Sequence, residues 1–365
     1  MNTPPPDDDA VSFDPVRLPA TAEEAPSPSF EAMTRVRNAV LREVVGSDVD
    51  AQSAGDLAPV FAPDPDEIRH LWLIRRGGEV IGRVGVDIPQ IEGSRTAFWF
   101  LDILAAHHGA GIGTHAHEEL IEPTARRHGR TVLQAWAQHA EEDGERLHSP
   151  AGLGSIPRDH AARFGLRNGY TLAQVERRSE FDLTTGLPRV EELYAEAQAA
   201  AEGYRIVQWE VPTPAEYAED YAWLKSRMNT DAPAADLEWD EEPWDAERVA
   251  RHDALLVRGD GGRALVTAAQ HVASGRLVAF NELTIQSDPA GATSQEDTLV
   301  LKEHRGHRLG MLVKCAGLRA WPAIAPRSTR VITYNAEENR PMLDVNEAIG
   351  FVPVAYEGAW KKVLE

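Results

Sequence analysis

Apolar residues follow two rhythms along the chain, one of helical and one of strand period. Arg35 to Val45 has helical spacing, with Val36, Val40, Leu41 and Val44 on one stripe. Two strand-like runs follow, Leu71 to Arg75 and Val80 to Asp87, with Gly77-Gly78 between them as a hairpin turn. A third run, Ala97 to Leu104, is apolar except for Asp102. A glycine-rich loop then opens helical spacing from Gly113 to His128, in which Pro123 is expected to make a kink. Thr131 to Ala137 predicts a strand, Ala161 to Asn168 a short helix, and Tyr170 to Leu183 the strands that close this half.

The helix formers of Val190 to Ala201, ending at Gly203, read as a connector. After it the same order returns. Tyr204 to Val211 is strand-like, Ala215 to Met228 helical, and Asp231 to Trp244 an acidic loop with Trp and Pro. Ala264 to Val272 and Arg276 to Ile285 pair as strands around Ser274-Gly275. Thr298 to Leu301 leads into a second loop of Gly and Arg, and a helix from Gly310 to Trp321 stops at Pro322. Val331 to Asn335 is a strand, Asn339 to Ile349 a helix, and Phe351 begins the closing strands. Repeats of this size are a duplicated domain, not a solenoid. Gly113 and Gly310 lie 197 positions apart, whereas Gly169 and Gly350 lie 181 apart. The first copy thus carries an insertion, placed in the polar stretch from Gln138 to Arg158. The expected boundaries are a disordered tail over 1–12, domains over 13–186 and 204–365, and the helical connector over 187–203. Each domain is expected to be α/β (α+β), a mostly antiparallel mixed sheet flanked by helices.

Candidate chemistry sits in the two loops. In the first, Ile103 and Leu104 end the strand, and His108, Gly109, Ala110, Gly111, Ile112, Gly113 and Thr114 turn into the helix. Such a turn aims consecutive backbone N–H groups at one point, and the helix N-terminus adds partial positive charge. A phosphate or pyrophosphate is the ligand this suits. An ordinary strand-to-helix turn has the same composition, and a dinucleotide fold competes, although the hairpin before the strand counts against it. The second loop, Arg305-Gly306-His307-Arg308-Leu309-Gly310 after Leu299, Val300 and Leu301, stands in the same context.

Here the chain resembles the GNAT superfamily of N-acetyltransferases. Its signature, Arg/Gln-x-x-Gly-x-Gly/Ala, is matched by His108-x-x-Gly111-x-Gly113 and by Arg305-x-x-Arg308-x-Gly310, each with one departure. The string HRGHRLG, with Asn335 to Asn339 and Asn346 to Phe351, is similar to tandem GNAT proteins of actinobacteria, a group to which mycothiol synthase is also similar. FGLRNGY, from Phe164 to Tyr170, gives a looser match in the first copy. The resemblance implies two tandem GNAT folds, acetyl-CoA as co-substrate with its pyrophosphate on these loops, and transfer to an amine of a small molecule. Arg308 is placed to pair with a phosphate. Asn335 and Asn339 are candidates to hold the pantetheine arm, and equally to cap helices. The tyrosine that serves many GNAT enzymes as general acid is missing: its place falls on Gly165 in the first copy and on Asn346 in the second.

The amine must lose a proton, so a carboxylate base is needed. Glu282 is the first choice in the second copy, Glu296 the next, and Asp102 the analogue in the first. A carboxylate inside an apolar strand is expected to have a raised pKa, and a solvent-facing strand position is the plainer alternative. Clustered His107, His108, His115 and His117 do not have metal-ligand spacing, so no metal is expected. The second domain, which keeps the signature arginine, is the expected catalytic one. A non-catalytic acyl-CoA-binding or scaffold protein and a protein N-acetyltransferase are the alternatives.

Composition narrows the partners. With 37 basic and 58 acidic residues the net charge is −21, which disfavours nucleic acid and weakly favours a cationic substrate. No apolar run is long enough for a membrane span, and a cytoplasmic monomer or homodimer is expected. The single cysteine, Cys315, excludes a disulfide within the chain and reads as a packing residue.

Overall fold

The first strand, β1 (Val11–Pro15), lies where the sequence suggests the end of a disordered tail. Ser27 then caps α1 (Pro28–Val45), with Pro28 in its first turn, so this helix begins ahead of its regular apolar stripe. The structure, a computed structural model, describes residues 10–48, 50–139, 143–150, 152–231, 235–257 and 261–365. Most of the expected tail therefore lies outside the described residues, as do parts of the expected insertion (140–142 and 151) and of the acidic loop (232–234).

The chain continues through α2 (Ala54–Leu57), β2 (Glu67–Arg76), β3 (Glu79–Pro89) and β4 (Thr96–Ile103). After the first loop come α3 (Ile112–Ala116), α4 (Glu122–Arg127), β5 (Val132–His139), β6 (Arg146–His148), β7 (Ser155–Pro157), α5 (His160–Arg167) and β8 (Thr171–Asp182). A π turn, His117–Ile121, joins α3 to α4. It ends two residues before Pro123, whose ring and missing N–H cannot continue a regular α ladder, so the expected kink takes this form. The later elements are α6 (Leu187–Ala200), β9 (Tyr204–Glu210), α7 (Ala215–Asp231), α8 (Ala246–Leu256), β10 (Arg263–His271), β11 (Leu277–Ile285), β12 (Thr293–Val300), α9 (Leu309–Ile324), β13 (Arg330–Ala336), α10 (Arg340–Ile349) and β14 (Val352–Val363). Helix α8, capped by the Asp245 carboxylate, has no counterpart in the sequence reading, and α9 runs through Pro322 instead of stopping there.

Two compact units result. One comprises Met1–Val175, Asp236–Glu238 and Tyr356–Glu365; the other comprises Glu176–Ala235 and Trp239–Ala355. The first has the strand order β1-β2-β3-β4-β5-β14, its last place filled by Tyr356–Val363. The second has the order β9-β10-β11-β12-β13-β8, its last place filled by Glu176–Asp182. Each sheet is thus completed by a strand distant in sequence, a division that two contiguous stretches over 13–186 and 204–365 do not describe. Helix α6, read as a connector, packs on α9 with Val190, Leu193 and Ala197 buried in the core of the second unit. Among the described residues no helix is long and apolar enough to cross a membrane.

In both units one strand pair decides the shape of the sheet. β4 and β5 run parallel but pair only from Thr96 to Phe98, and β12 and β13 pair only at Thr293 and Ser294. Beyond these residues the partners diverge. The far edge of β5 is occupied by β14, and that of β13 by β8. An opening therefore lies inside each sheet, at the strand end that feeds the glycine-containing loop.

Candidate active site

The two loops have the same backbone. After β4, Gly109 takes φ 78°, and Gly111 takes φ 78° as the residue before α3. After β12, Gly306 takes φ 89°, and Arg308 takes φ 56° as the residue before α9. His108 Nε2 donates to the carbonyl of Ile103 at 2.8 Å, and Arg305 Nε to the carbonyl of Val300 at 3.2 Å. These two residues open the signature, and each is pinned to the last residue of its strand. The amides of Gly109, Ala110, Gly111, Ile112, Gly113 and Thr114 have no backbone partner among the described residues, nor do those of Gly306, His307, Arg308, Leu309, Gly310 and Met311. Nothing lies within 4 Å of where a Cβ would stand on Gly109, Gly111 or Gly306. A donor-only, open cradle at a helix N-terminus fits a pyrophosphate.

The departures from the signature acquire causes. At position 308 the backbone is left-handed, which favours glycine, so Arg308 carries strain that Gly111 does not. Its guanidinium reaches Glu196 at 3.2 Å, an exposed pair, instead of being held toward the loop. Arg305, exposed and tied through Nε, is the cation better placed for a phosphate. Gly113 packs beneath Phe164, whose ring lies 3.1 Å from the position a Cβ would take.

Beyond the loops the units differ. In β12 the pairing with β11 slips: Asn281 faces Thr298 and Leu283 faces Gln295, so Glu296 and Asp297 together oppose Glu282. This bulge turns two successive carboxylates toward the face carrying α7 and α8. Glu296 is exposed and accepts from Thr284 Oγ1 at 2.9 Å. Asp297 is ion-paired with Lys225. Glu282 is fully buried and accepts from the Tyr221 hydroxyl, Lys225 Nζ at 3.2 Å, His252 Nε2 at 3.2 Å and the Asp297 amide at 3.3 Å. Burial pushes its pKa up, but Lys225, His252 and Tyr221 outweigh that and hold it at about 2. The raised pKa expected for a base at Glu282 is thus reversed, because the carboxylate is saturated with donors. Trp244, from the acidic loop, covers Lys225 at 5.1 Å and meets His252 edge-on.

In the first unit β3 and β4 pair without a slip from Gly82–Ile103 to Asp87–Phe98. Counting back from the strand ends, Gly85 holds the register of Glu282, and the ring of Phe100 fills the place of its side chain, 2.2 Å from a Cβ built there. Asp102 is paired with Arg83 at 2.6 Å, and Arg83 also lies over Phe100. Asp102 is therefore held in an ion pair and is not the positional analogue of Glu282.

Where the missing tyrosine would stand, Asn346 is buried. It accepts from Lys314 Nζ at 2.7 Å and donates through Nδ2 to Asn335 Oδ1 at 2.7 Å. Gly165, the matching position of the first unit, has the Trp360 indole 3.0 Å from its would-be Cβ. Asn339 precedes α10 without a side-chain cap bond. His108 stacks on His160, and buried His117 shares a 2.8 Å hydrogen bond with Tyr170; the clustered histidines thus point to different partners. Cys315 is buried against Met311, and burial pushes its thiol up to about 12, as suits a packing residue.

Sequence reasoning missed Asp297, Lys225 and Lys314. The run Gln295-Glu296-Asp297 does signal polar residues in a strand, but a bulge is needed to put two of them on one face. A lysine inside the apolar stretch Met311 to Leu318 was the available sign for Lys314.

Comparison with known proteins agrees with this geometry. Residues 39–152 match the acetyltransferase (GNAT) family. No curated protein sequence matches the chain. A solved tandem GNAT protein from the clavulanic acid biosynthesis pathway shares 26% identity and a TM-score of 0.70, with 97% of this chain and 98% of that one covered. A GCN5-related N-acetyltransferase from Sphaerobacter thermophilus has the same fold, at 16% identity and a TM-score of 0.61, covering 98% and 96%. A glucosamine N-acetyltransferase region of a fungal multi-domain β-N-acetylglucosaminidase also shares it, at 14% identity and 0.61, covering 97% of this chain and 38% of that one. With two pyrophosphate-type cradles on two matching folds, the chain is similar along its length to a tandem GNAT protein, and residues 39–152 match the GNAT acetyltransferase family itself.

Proposed function

We propose that the protein transfers an acetyl group from acetyl-CoA to the amine of a small molecule, and that the second unit performs the transfer. The observation that carries this is the β12 bulge, which sets Glu296 beside the sheet opening and is lacking in β4. When bound, acetyl-CoA supplies an activated thioester. The amides of residues 306–311 and the Arg305 guanidinium hold its pyrophosphate. Glu296, exposed and steadied by Thr284, takes the proton of the incoming ammonium, directly or through water. Glu282 and Lys225 act differently: they fix the strand and helix α7 around the bulge. The net charge of −21 attracts a cationic amine at long range. A small acceptor is also in keeping with the biosynthetic pathway named for the tandem protein at 26% identity.

In the first unit the Phe100 ring fills that place, and Asp102, the nearby strand carboxylate, is ion-paired with Arg83. This favours a role in binding or support for that half. The test is thiol release from acetyl-CoA against a panel of small primary amines. At least one amine is expected to give turnover, and Glu296→Gln is expected to lower kcat by about 100-fold with KM for acetyl-CoA unchanged. Unchanged kcat in Glu296→Gln would remove it as the base.

A further inference from the structure

Lysine is a poor choice for packing a helix, because its ammonium loses hydration on burial. Lys314 is nonetheless 1% exposed on α9, and Asn346 Oδ1 is its one hydrogen-bond partner among the described residues. Asn346, equally buried, passes the polarity on: its Nδ2 donates to Asn335 Oδ1. Asn335 is only half-buried. It lies on β13 two residues beyond Thr333, where a side-chain bond to Gln295 marks the last link across the opening. The chain of donors therefore runs one way, from a buried cation to an amide at the opening between β12 and β13. The first unit has a buried titratable group at the same helical step, His117, four residues after Gly113 as Lys314 is four after Gly310.

We propose that Lys314, Asn346 and Asn335 form a hydrogen-bond relay that stabilises the departing CoA thiolate, in place of the absent tyrosine. Asn335 donates the bond; Lys314 is a positioning residue that polarises it and keeps its own proton. In the transfer the amine nitrogen bonds to the acyl carbon, the carbon–sulfur bond breaks with its electron pair on sulfur, and the amine proton goes to the carboxylate side. The thiolate is protonated later, from solvent. This rests on the acetyl-CoA reading of the second loop.

The surroundings of Lys314 suit a charge that responds to an anion. From α10 it faces the neutral Asn346, and among the described residues its one influential ionisable neighbour is Cys315 on its own helix. Burial pushes its ammonium down to about 7. A thiolate at the end of the relay restores the charged form, and pH above that range weakens the relay.

The test is binding of free CoA to the full chain, measured by calorimetry and by thiolate absorbance across pH, with desulfo-CoA as the sulfur-free control. In the wild type, bound CoA is expected to ionise at lower pH than CoA in solution. Lys314→Met and Asn335→Ala are each expected to weaken thiolate binding roughly tenfold, about 1.4 kcal/mol, beyond any change in desulfo-CoA binding. Asn335→Ala leaves the buried Lys314–Asn346 pair in place, so it serves even if Lys314→Met does not fold. Equal thiol ionisation in the wild type and Asn335→Ala overturns the relay. Failure of the wild type to bind desulfo-CoA at all overturns instead the co-substrate reading beneath it.

Discussion

At Glu282 two opposing effects meet, and the neighbours decide the outcome. Burial alone disfavours the charged carboxylate, but a lysine, a histidine and a tyrosine donate to it, and its pKa falls to about 2. A folded pKa below the ordinary value of 4.5 gives stability that is present above pH 4.5 and is lost as pH falls toward 2. The sequence shows a carboxylate among apolar residues and nothing of Lys225, 57 positions away on another element. That is why the residue reads as a base while the structure makes it a support. Glu282→Gln should therefore lower stability by about 3 kcal/mol, because Lys225 loses a buried counter-charge. Urea unfolding at pH 7 measures this; a change within about 0.5 kcal/mol would mean that Asp297 alone satisfies the lysine.

Among elements, the strand-loop-helix turns were the most legible. Gly109, Gly111 and Gly306 mark left-handed backbone directly, since such turns favour glycine. Arg308 hides the same conformation behind an unfavourable residue, and only its matching place in the repeat reveals it. Gly111→Ala is accordingly expected to lower stability by about 1 kcal/mol, whereas Arg308→Gly is expected to cost nothing. A loss of more than about 1 kcal/mol on Arg308→Gly, again by urea unfolding, would show that the pair with Glu196 outweighs the strain. The β12 bulge was illegible, because the run Thr293 to Val300 has no glycine or proline to mark where its register slips. Helix α8 was missed for a related reason: its start depends on the Asp245 cap, set within an acidic stretch that reads as loop.

On the scale of the whole molecule, duplication was readable because the two loops recur in the same context, but the source of each final strand was not. Local pattern predicts that Phe351 onward is extended; it does not specify that residues 356–363 pair with β5, more than 200 positions earlier. The register of that strand follows from long-range pairing, which a one-dimensional pattern does not encode. The central claim is that one fold, built twice, kept its cradle in both units and its proton-transfer chemistry in the second. Acetyl-CoA turnover in two single variants, Gly109→Val and Gly306→Val, tests this most directly. Each places a branched side chain into an open cradle at the same step, with similar local strain. Loss of turnover in Gly306→Val with activity kept in Gly109→Val is the predicted result; the reverse pattern would contradict the account.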